Sequence, residues 1–85
     1  MFQVSIADEV LSALENLTRT REVRRNQDLD IFELGLLDSL GAVELLVLLS
    51  DRLGVQLSPA ELDRHDWATP RKIIAYLEAR LASGQ

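Results

Sequence analysis

Apolar residues recur along the chain at the spacing of amphipathic helices, in three separate segments. The first segment carries an apolar stripe made of Ile6, Ala7, Val10, Leu14 and Leu17. This spacing places the stripe on one side of a helix. Ser5 and Asp8 have the spacing of a capping box, so we predict a helix from about Ser5 to Thr18. No segment sustains the alternation that indicates a strand, and the pattern predicts an all-α protein.

A second and more apolar helix is predicted to follow Asp38. The carboxylate of Asp38 can accept hydrogen bonds from backbone N–H groups two or three residues on, as an N-cap does. Gly54 is placed to end the helix in a left-handed conformation, which gives a helix over 39–53. At about 100° per residue, one face of this helix carries the residues expected in the core, which are Ala42, Leu45, Leu46, Leu49 and Leu53.

The opposite face of the second helix combines acidic and apolar residues. Glu44 and Asp51 mark the side expected to face water, and Leu48 lies between them on the helical wheel. Leu40 and Val47 lie at one flank of that side. A cluster of exposed apolar side chains suggests a binding surface. The alternative is a central helix that other elements cover all round.

Two further helices are predicted from their starting signals. Ser58-Pro59-Ala60-Glu61 is a capping box with proline at the first helical position, and it predicts a short helix from Pro59 to Arg64. Thr69-Pro70 repeats the cap-then-proline signal before the last apolar stripe, which consists of Ile73, Ile74, Leu77 and Leu81. We therefore expect one domain over residues 1–85, a small four-helix bundle of three longer helices and a short third one.

Residues 19–38 form a long first loop between the first two helices. A connection of this length inside a compact domain is usually functional. Its first half contains four arginines, Arg19, Arg21, Arg24 and Arg25, while its second half combines acidic and apolar residues. The apolar residues should hold the loop against the helices. The arginines either pair with nearby acids or form a docking patch for an acidic partner.

Composition excludes several classes of function. The chain has no cysteine, so it has neither disulfides nor thiolate metal sites. Its net charge of −5 argues against binding to nucleic acid, whose phosphates would repel it. The longest apolar run, Leu45–Leu49, is far too short for direct insertion across a bilayer. The N-terminus lacks the pattern of a signal peptide, so we expect a cytoplasmic protein.

Ser39 is the candidate for chemistry, because it lies at the predicted N-terminus of the second helix. That end offers free N–H groups and partial positive charge, which suit a phosphodiester. A hydrolytic serine would need a base nearby, and the one histidine, His65, lies in a polar stretch where we expect it to be solvated. No Gly-x-Ser-x-Gly motif surrounds Ser39. An ordinary serine in a helix's first turn is the alternative to modification.

The segment Gly35-Leu36-Leu37-Asp38-Ser39-Leu40 resembles the Asp-Ser-Leu attachment site of the acyl carrier protein family, and the helix layout fits the same family. This resemblance implies that Ser39 carries covalent 4′-phosphopantetheine, attached by a phosphopantetheinyl transferase that uses coenzyme A and magnesium. It implies that Asp38 helps to position the metal or the transferase, and that the chain is a carrier and not an enzyme. The residues implied to contact partner enzymes are Leu40, Glu44, Val47 and Leu48.

A longer run from Phe32 to Leu46, with two residues between Gly35 and Asp38, is similar to the D-alanyl carrier subfamily, as is the run from Glu61 to Pro70. This similarity implies a monomeric carrier that holds a D-alanyl group as a thioester. A D-alanine adenylating ligase would load it, and a downstream acyltransferase would pass the group to lipoteichoic acid. The alternatives are a carrier of another biosynthetic pathway, a helical adaptor without a prosthetic group, and a small hydrolase. Trp67 would cover the end of the short third helix, flank the arm, or simply pack against the last helix.

Overall fold

The computed structural model describes residues 5–82. Its elements in chain order are α1 (Ile6–Thr18), α2 (Glu22–Arg25), α3 (Ser39–Leu53), one turn of 3-10 helix (Pro59–Glu61) and α4 (Pro70–Ala82). This range contains no strand, so the all-α prediction and the three longer helices are confirmed. Within the same range, no helix has both the length and the apolar character needed to cross a membrane.

The ends of the longer helices follow the capping residues that the sequence indicates. The Ser5 hydroxyl accepts from the N–H of Asp8 at 3.3 Å, and the Thr69 hydroxyl accepts from the N–H of Lys72 at 3.1 Å. Gly54 ends α3 with a left-handed φ of 64°, a conformation that costs glycine little because it has no Cβ. These local interactions explain why the predicted bounds of α1 and α3 are confirmed.

The short third helix differs from its prediction. It is a single 3-10 turn that ends at Glu61, and the chain is already extended at Leu62 (φ −77°, ψ 91°). The capping box that starts it is confirmed, with both of its reciprocal hydrogen bonds present. The carboxylate of Asp63 accepts from the N–H of His65 at 2.9 Å. Such local bonds compete with a helix, which explains why the predicted extension to Arg64 is wrong.

The long first loop contains a helix that the sequence pattern does not predict. The four-residue helix α2 begins at Glu22, whose N–H donates to the hydroxyl of Thr20 at 3.2 Å. Val23 is completely buried, so α2 contributes a side chain to the core. One turn of helix is too short to show a periodic apolar pattern, and only its packing reveals it.

The core lies between α1, α3 and α4, and α1 contacts both of the other two helices. Four of the five core residues predicted on α3, namely Ala42, Leu45, Leu46 and Leu49, are buried. Leu53 is only half-buried and packs at the edge of the core. Loop residues complete the interior, namely Val23, Ile31, Leu37, Leu57 and Trp67. The apolar part of the first loop therefore holds it against the helices, as expected.

The outer face of α3 is only partly as predicted. Leu40 and Val47 are exposed, at 69% and 63% of their maximal surface. The expectation that Leu48 faces water is wrong, because this side chain is half-buried and packs against the core. The buried arc of α3 is therefore wider than the five-residue face that the helical wheel gave. Val43 and Leu34 add exposed apolar surface that the sequence pattern did not single out.

The backbone of the first loop is tied to the chain that enters α4. The N–H of Ile31 donates to the carbonyl oxygen of Ala68 at 2.8 Å. The carbonyl oxygen of Ile31 accepts from the N–H groups of Leu36 and Leu37, at 2.9 Å and 3.0 Å. Because Ile31 is completely buried, these bonds lie in the interior and fix the last turns of the loop before α3.

Among the loop arginines, Arg24 pairs with acids as the local interpretation predicts, although the acids lie on α1 and not in the loop. Its guanidinium donates to Glu15 at 3.0 Å and to Asp8 at 3.1 Å. The loop acid Asp28 pairs instead with Arg71 of α4, at 2.7 Å. The charges of the loop therefore hold it to the helices on either side.

Candidate functional site

The turn before α3 is shaped by a glycine and closed by an aspartate. Gly35 has a left-handed φ of 71°, and the following Leu37 is buried. Asp38 is extended (φ −106°, ψ −175°), and its Oδ1 accepts from the N–H of Gly41 at 2.7 Å. Asp38 is therefore the N-cap of α3, as predicted.

Gly41 permits this cap to pack closely on the turn before it. A Cβ atom at Gly41 would lie 2.8 Å from Cδ1 of Leu37 and 3.2 Å from Oδ1 of Asp38. The first of these distances is shorter than a normal van der Waals contact. The first turn of α3 is thus packed against the buried leucine without space for a larger residue at this position.

Ser39 is the first residue of α3 and is exposed. Among the described residues, its hydroxyl has no hydrogen-bond partner. The N–H groups of a helix's first residues have no partner within the helix, and here the carboxylate of Asp38 accepts only from that of Gly41. The hydroxyl therefore stands free at the positive end of a 15-residue helix, an environment that favours a phosphate ester.

A groove of about 220 Å³ opens beside Ser39. It is lined by Phe32, Ser39, Ala42, Val43, Leu62, Asp63, Arg64 and Trp67. Most of this lining is apolar, with one acid and one cation at its wall. The guanidinium carbon of Arg64 lies 4.7 Å from the centre of the Phe32 ring, within the range of a cation–π contact. The groove thus joins the start of α3 to the segment between the 3-10 turn and α4.

Trp67 forms the buried end of this segment and is 1% exposed. Its ring lies 5.6 Å from that of Tyr76 on α4, tilted by 53°, which confirms that it packs against the last helix. The indole Nε1 is also buried, and it has no hydrogen-bond partner within residues 5–82. A buried donor left unpaired costs roughly 1–3 kcal/mol, so this nitrogen is an unusual feature of a residue that lines the groove.

The structure gives no support to a hydrolase centred on Ser39. His65 is exposed and is absent from the groove's lining. No hydrogen bond joins its side chain to Ser39 in the described part of the chain, so no base is positioned to activate the hydroxyl. The residues described also contain no group of His, Asp or Glu arranged to hold a metal ion.

Comparison with known proteins decides between the alternatives left by this geometry. Residues 2–77 match the family described as "Phosphopantetheine attachment site". The D-alanyl carrier protein of Enterococcus faecalis is 47% identical over 76 residues, which cover 89% of this chain and 97% of that protein. The D-alanyl carrier protein of Lacticaseibacillus rhamnosus is 46% identical over 78 residues, 92% of this chain and 96% of that protein. The chain belongs to the D-alanyl carrier protein family.

Members of this carrier family bear a covalent 4′-phosphopantetheine, and the residues around Ser39 fit such a group. The carrier offers an exposed hydroxyl, a helix N-terminus for the phosphate and an apolar groove beside both. When bound, the group supplies a terminal thiol at the end of a long arm. Of the two carboxylate oxygens of Asp38, Oδ1 is occupied by the cap, while Oδ2 makes no hydrogen bond among residues 5–82.

The carrier's predicted partner residues lie on the outer side of α3. Leu40, Glu44 and Val47 are exposed, whereas Leu48 presents only part of its side chain. Sequence reasoning missed Val43, which is 38% exposed and also lines the groove. It missed Leu62 and Arg64 as well, because nothing in their local sequence indicates that the chain folds back toward Ser39.

One carboxylate holds the far wall of the groove onto α4. Glu61 accepts from the hydroxyl of Tyr76 at 2.7 Å, from Nε of Arg80 at 2.9 Å and from the N–H of Ser58 at 3.0 Å. These donors, Arg80 foremost, lower the pKa of Glu61 to about 2. Burial, followed by the bond to Glu61, raises the pKa of Tyr76 to about 12. Both groups therefore stay in their bonded forms near neutral pH.

Proposed function

We propose that Ser39 is the residue that carries 4′-phosphopantetheine in this carrier, and that the thiol of the arm holds a D-alanyl group as a thioester. The observation that carries the proposal is the unpaired Ser39 hydroxyl at the capped N-terminus of α3. It occurs in a chain that is 47% identical to a D-alanyl carrier protein. The D-alanyl group would be destined for lipoteichoic acid, and the carrier would work in the cytoplasm.

The roles of the two residues at the helix start follow from their contacts. Ser39 would supply the hydroxyl oxygen that attacks the pantetheine-side phosphorus of coenzyme A. The pyrophosphate bond would break, adenosine 3′,5′-bisphosphate would leave, and the serine proton would pass to a base outside this chain. Asp38 holds the first turn through Oδ1 and leaves Oδ2 for the magnesium ion or a donor of the transferase. A carboxylate oxygen is a ligand that magnesium accepts readily.

The test of the attachment residue is the intact mass of the protein. Incubation with a phosphopantetheinyl transferase, coenzyme A and magnesium should add the mass of one phosphopantetheine per chain. Ser39→Ala should abolish the addition, because the variant lacks the oxygen that forms the bond. Ser58→Ala is the matched control, since Ser58 is also an exposed serine at the start of a helical turn. Addition that persists in Ser39→Ala and is lost in Ser58→Ala would refute the assignment.

The identity of the thioester can be tested on the modified protein. We propose that an adenylating ligase loads D-alanine and that a downstream acyltransferase removes it. Loading of the holo protein should therefore be faster with D-alanine than with L-alanine or glycine when the carrier is supplied to a D-alanine ligase. If the D-alanine ligase does not load the holo protein and an enzyme of another pathway does, the carrier has a different biosynthetic role.

We propose further that these enzymes recognise the outer side of α3 through Leu40, Val47 and Glu44, with the exposed part of Leu48 at its edge. Apolar anchors hold complexes together, while charges mainly steer encounter and set specificity. Val47→Asp should slow ligase loading by roughly tenfold or more at low salt. Most of the effect should persist at high salt, because the apolar anchor is lost whatever the screening of the added charge. The fold should tolerate this change, because Val47 is exposed. Loading rates across a salt series measure the effect.

Charge reversal on the same surface should behave differently. Glu44→Lys should slow association at low salt, and its effect should shrink as salt rises, because ions screen exposed charges. Glu78→Lys on α4 is the matched control, since it makes the same change of charge at another exposed position. If Val47→Asp and Glu44→Lys are folded and are loaded as fast as the wild type, the partner surface does not lie on the outer side of α3.

A further inference from the structure

The indole nitrogen of Trp67 is the one buried side-chain donor or acceptor in residues 5–82 that lacks a hydrogen-bond partner. Buried tryptophan N–H groups usually find an acceptor, and unpaired buried groups in native proteins need an explanation. Packing against Tyr76 accounts for the burial of the ring. It does not supply an acceptor, so the unpaired donor points to a further role.

The surroundings of Trp67 are those of a small ligand site. Its ring shares the lining of the groove with the apolar side chains of Val43 and Leu62 and with Ser39. A largely apolar cleft with a few polar groups that fix orientation is the usual form of such sites. Pockets of about 300 Å³ or more enclose a drug-sized molecule, so a groove of about 220 Å³ takes a shorter segment.

Phosphopantetheine has the chemistry to fill this groove. Beyond its phosphate it carries a pair of methyl groups, then two amides whose carbonyl oxygens accept hydrogen bonds, and last the thiol. An arm attached at Ser39 begins at the edge of the groove, so its local concentration there is high without any second binding partner. The methyl groups match the apolar lining, and an amide carbonyl matches the unpaired donor.

We propose that the proximal part of the arm rests in this groove, with one of its amide carbonyl oxygens accepting a hydrogen bond from Nε1 of Trp67. This proposal rests on attachment at Ser39. It makes Trp67 a positioning residue, which orders the near half of the arm. The groove is too small for the whole arm, so the thiol and its acyl group extend beyond it toward partner enzymes.

The bond requires a small movement of the groove wall. Nε1 has almost no accessible surface, and a carbonyl oxygen needs about as much space as a water molecule. Arg64 and Asp63 are the exposed charged residues of the wall. The side chain of Arg64 makes no hydrogen bond within the described range, and it contacts the Phe32 ring. Of these two side chains, Arg64 is therefore the less restrained, because Asp63 accepts a hydrogen bond from the N–H of His65.

The test uses the indole N–H signal of the full chain, which has a single tryptophan. In ¹⁵N-labelled protein, conversion from the apo to the holo form should move the indole proton downfield and slow its exchange with solvent. The matched control is holo protein whose arm has methylenes in place of both amides, attached by the same transferase. That arm keeps the phosphodiester at Ser39, and it should leave the indole signal close to its apo position.

A variant of Trp67 allows a second measurement, in which the NMR signals of the arm itself are observed. Trp67→Phe keeps an aromatic ring and removes the donor, and thermal unfolding with a methyl NMR spectrum checks its fold. Labelled pantetheine on this variant should give narrower lines than on the wild type, because the arm is no longer held. If the variant does not fold, the wild-type indole signal alone decides.

The outcomes separate this proposal from the assignment of Ser39. An unchanged indole signal in protein whose mass shows complete addition at Ser39 overturns the role of Trp67 and leaves the carrier function intact. An equal shift with the amide-free arm also overturns it, because the phosphate alone would then be the cause. Absence of any addition at Ser39 overturns both.

Discussion

Leu49→Ala is expected to lower the free energy of unfolding by roughly 2–5 kcal/mol, as large-to-small substitutions in a core do. Leu49 is completely buried and lies on the face of α3 that meets the core. Its truncation removes apolar contacts and leaves a cavity that the surrounding helices fill only in part. Small domains have total stabilities of about 5–15 kcal/mol, so the variant should be close to unfolding. Urea titration followed by circular dichroism measures the change.

Val47→Ala is the matched control on the same helix. Val47 is mostly exposed, so its truncation should change the stability by no more than about 0.5 kcal/mol. Leu48→Ala should fall between the two, because Leu48 packs at the edge of the core and does not face water as the helical wheel predicted. Equal losses for Leu49→Ala and Val47→Ala would mean that α3 presents a different face to the core.

Acidification is expected to remove a second large contribution, the one made by Glu61. The folded-state pKa of about 2 lies below the ordinary value of 4.5. The unfolded chain therefore binds the proton first as the pH falls. The stabilisation is complete above about pH 4.5 and is lost progressively toward pH 2, and it amounts to roughly 2–3 kcal/mol. Unfolding curves between pH 2 and 7 should show this loss in the wild type and not in Glu61→Gln.

A second acid provides the control for this pH dependence. The ion pair with Arg71 also lowers the pKa of Asp28, but both side chains are mostly exposed. Solvent screens such pairs, and their net contribution is small. Asp28→Asn should therefore keep the wild-type loss of stability in acid. The same loss in the wild type and in Glu61→Gln would show that Glu61 does not cause it.

The parts of the fold that the sequence predicts are those set by local interactions. Ser5, Asp38 and Thr69 start their helices through bonds to N–H groups three residues on, so the capping signal is contained in a few neighbouring positions. The core face of α3 is likewise readable, because helical periodicity places its residues together. For the same reason the amino-acid sequence alone is enough to place Ser39 at a helix N-terminus.

The features that the sequence did not predict depend on contacts between distant segments. The burial of Leu48 depends on how far neighbouring side chains reach round α3. The helix α2 is held by the burial of Val23 in the core. A single helical turn is too short to show a periodic pattern of apolar residues. The groove joins residues from the first loop, from α3 and from the segment before α4. Helical wheels and capping motifs describe local sequence only, so they give no information about contacts between distant segments.

The hydrogen bonds of Ile31 have a consequence for how far a carrier can deliver its cargo. They tie the loop before α3 to the chain before α4, so the backbone that bears Ser39 cannot swing on a flexible tether. If the arm is attached there, its own length alone sets the radius within which the thioester can be found. Two enzymes whose active sites lie farther apart than twice that radius could not share one stationary carrier. The whole protein would have to dissociate from the first and diffuse to the second.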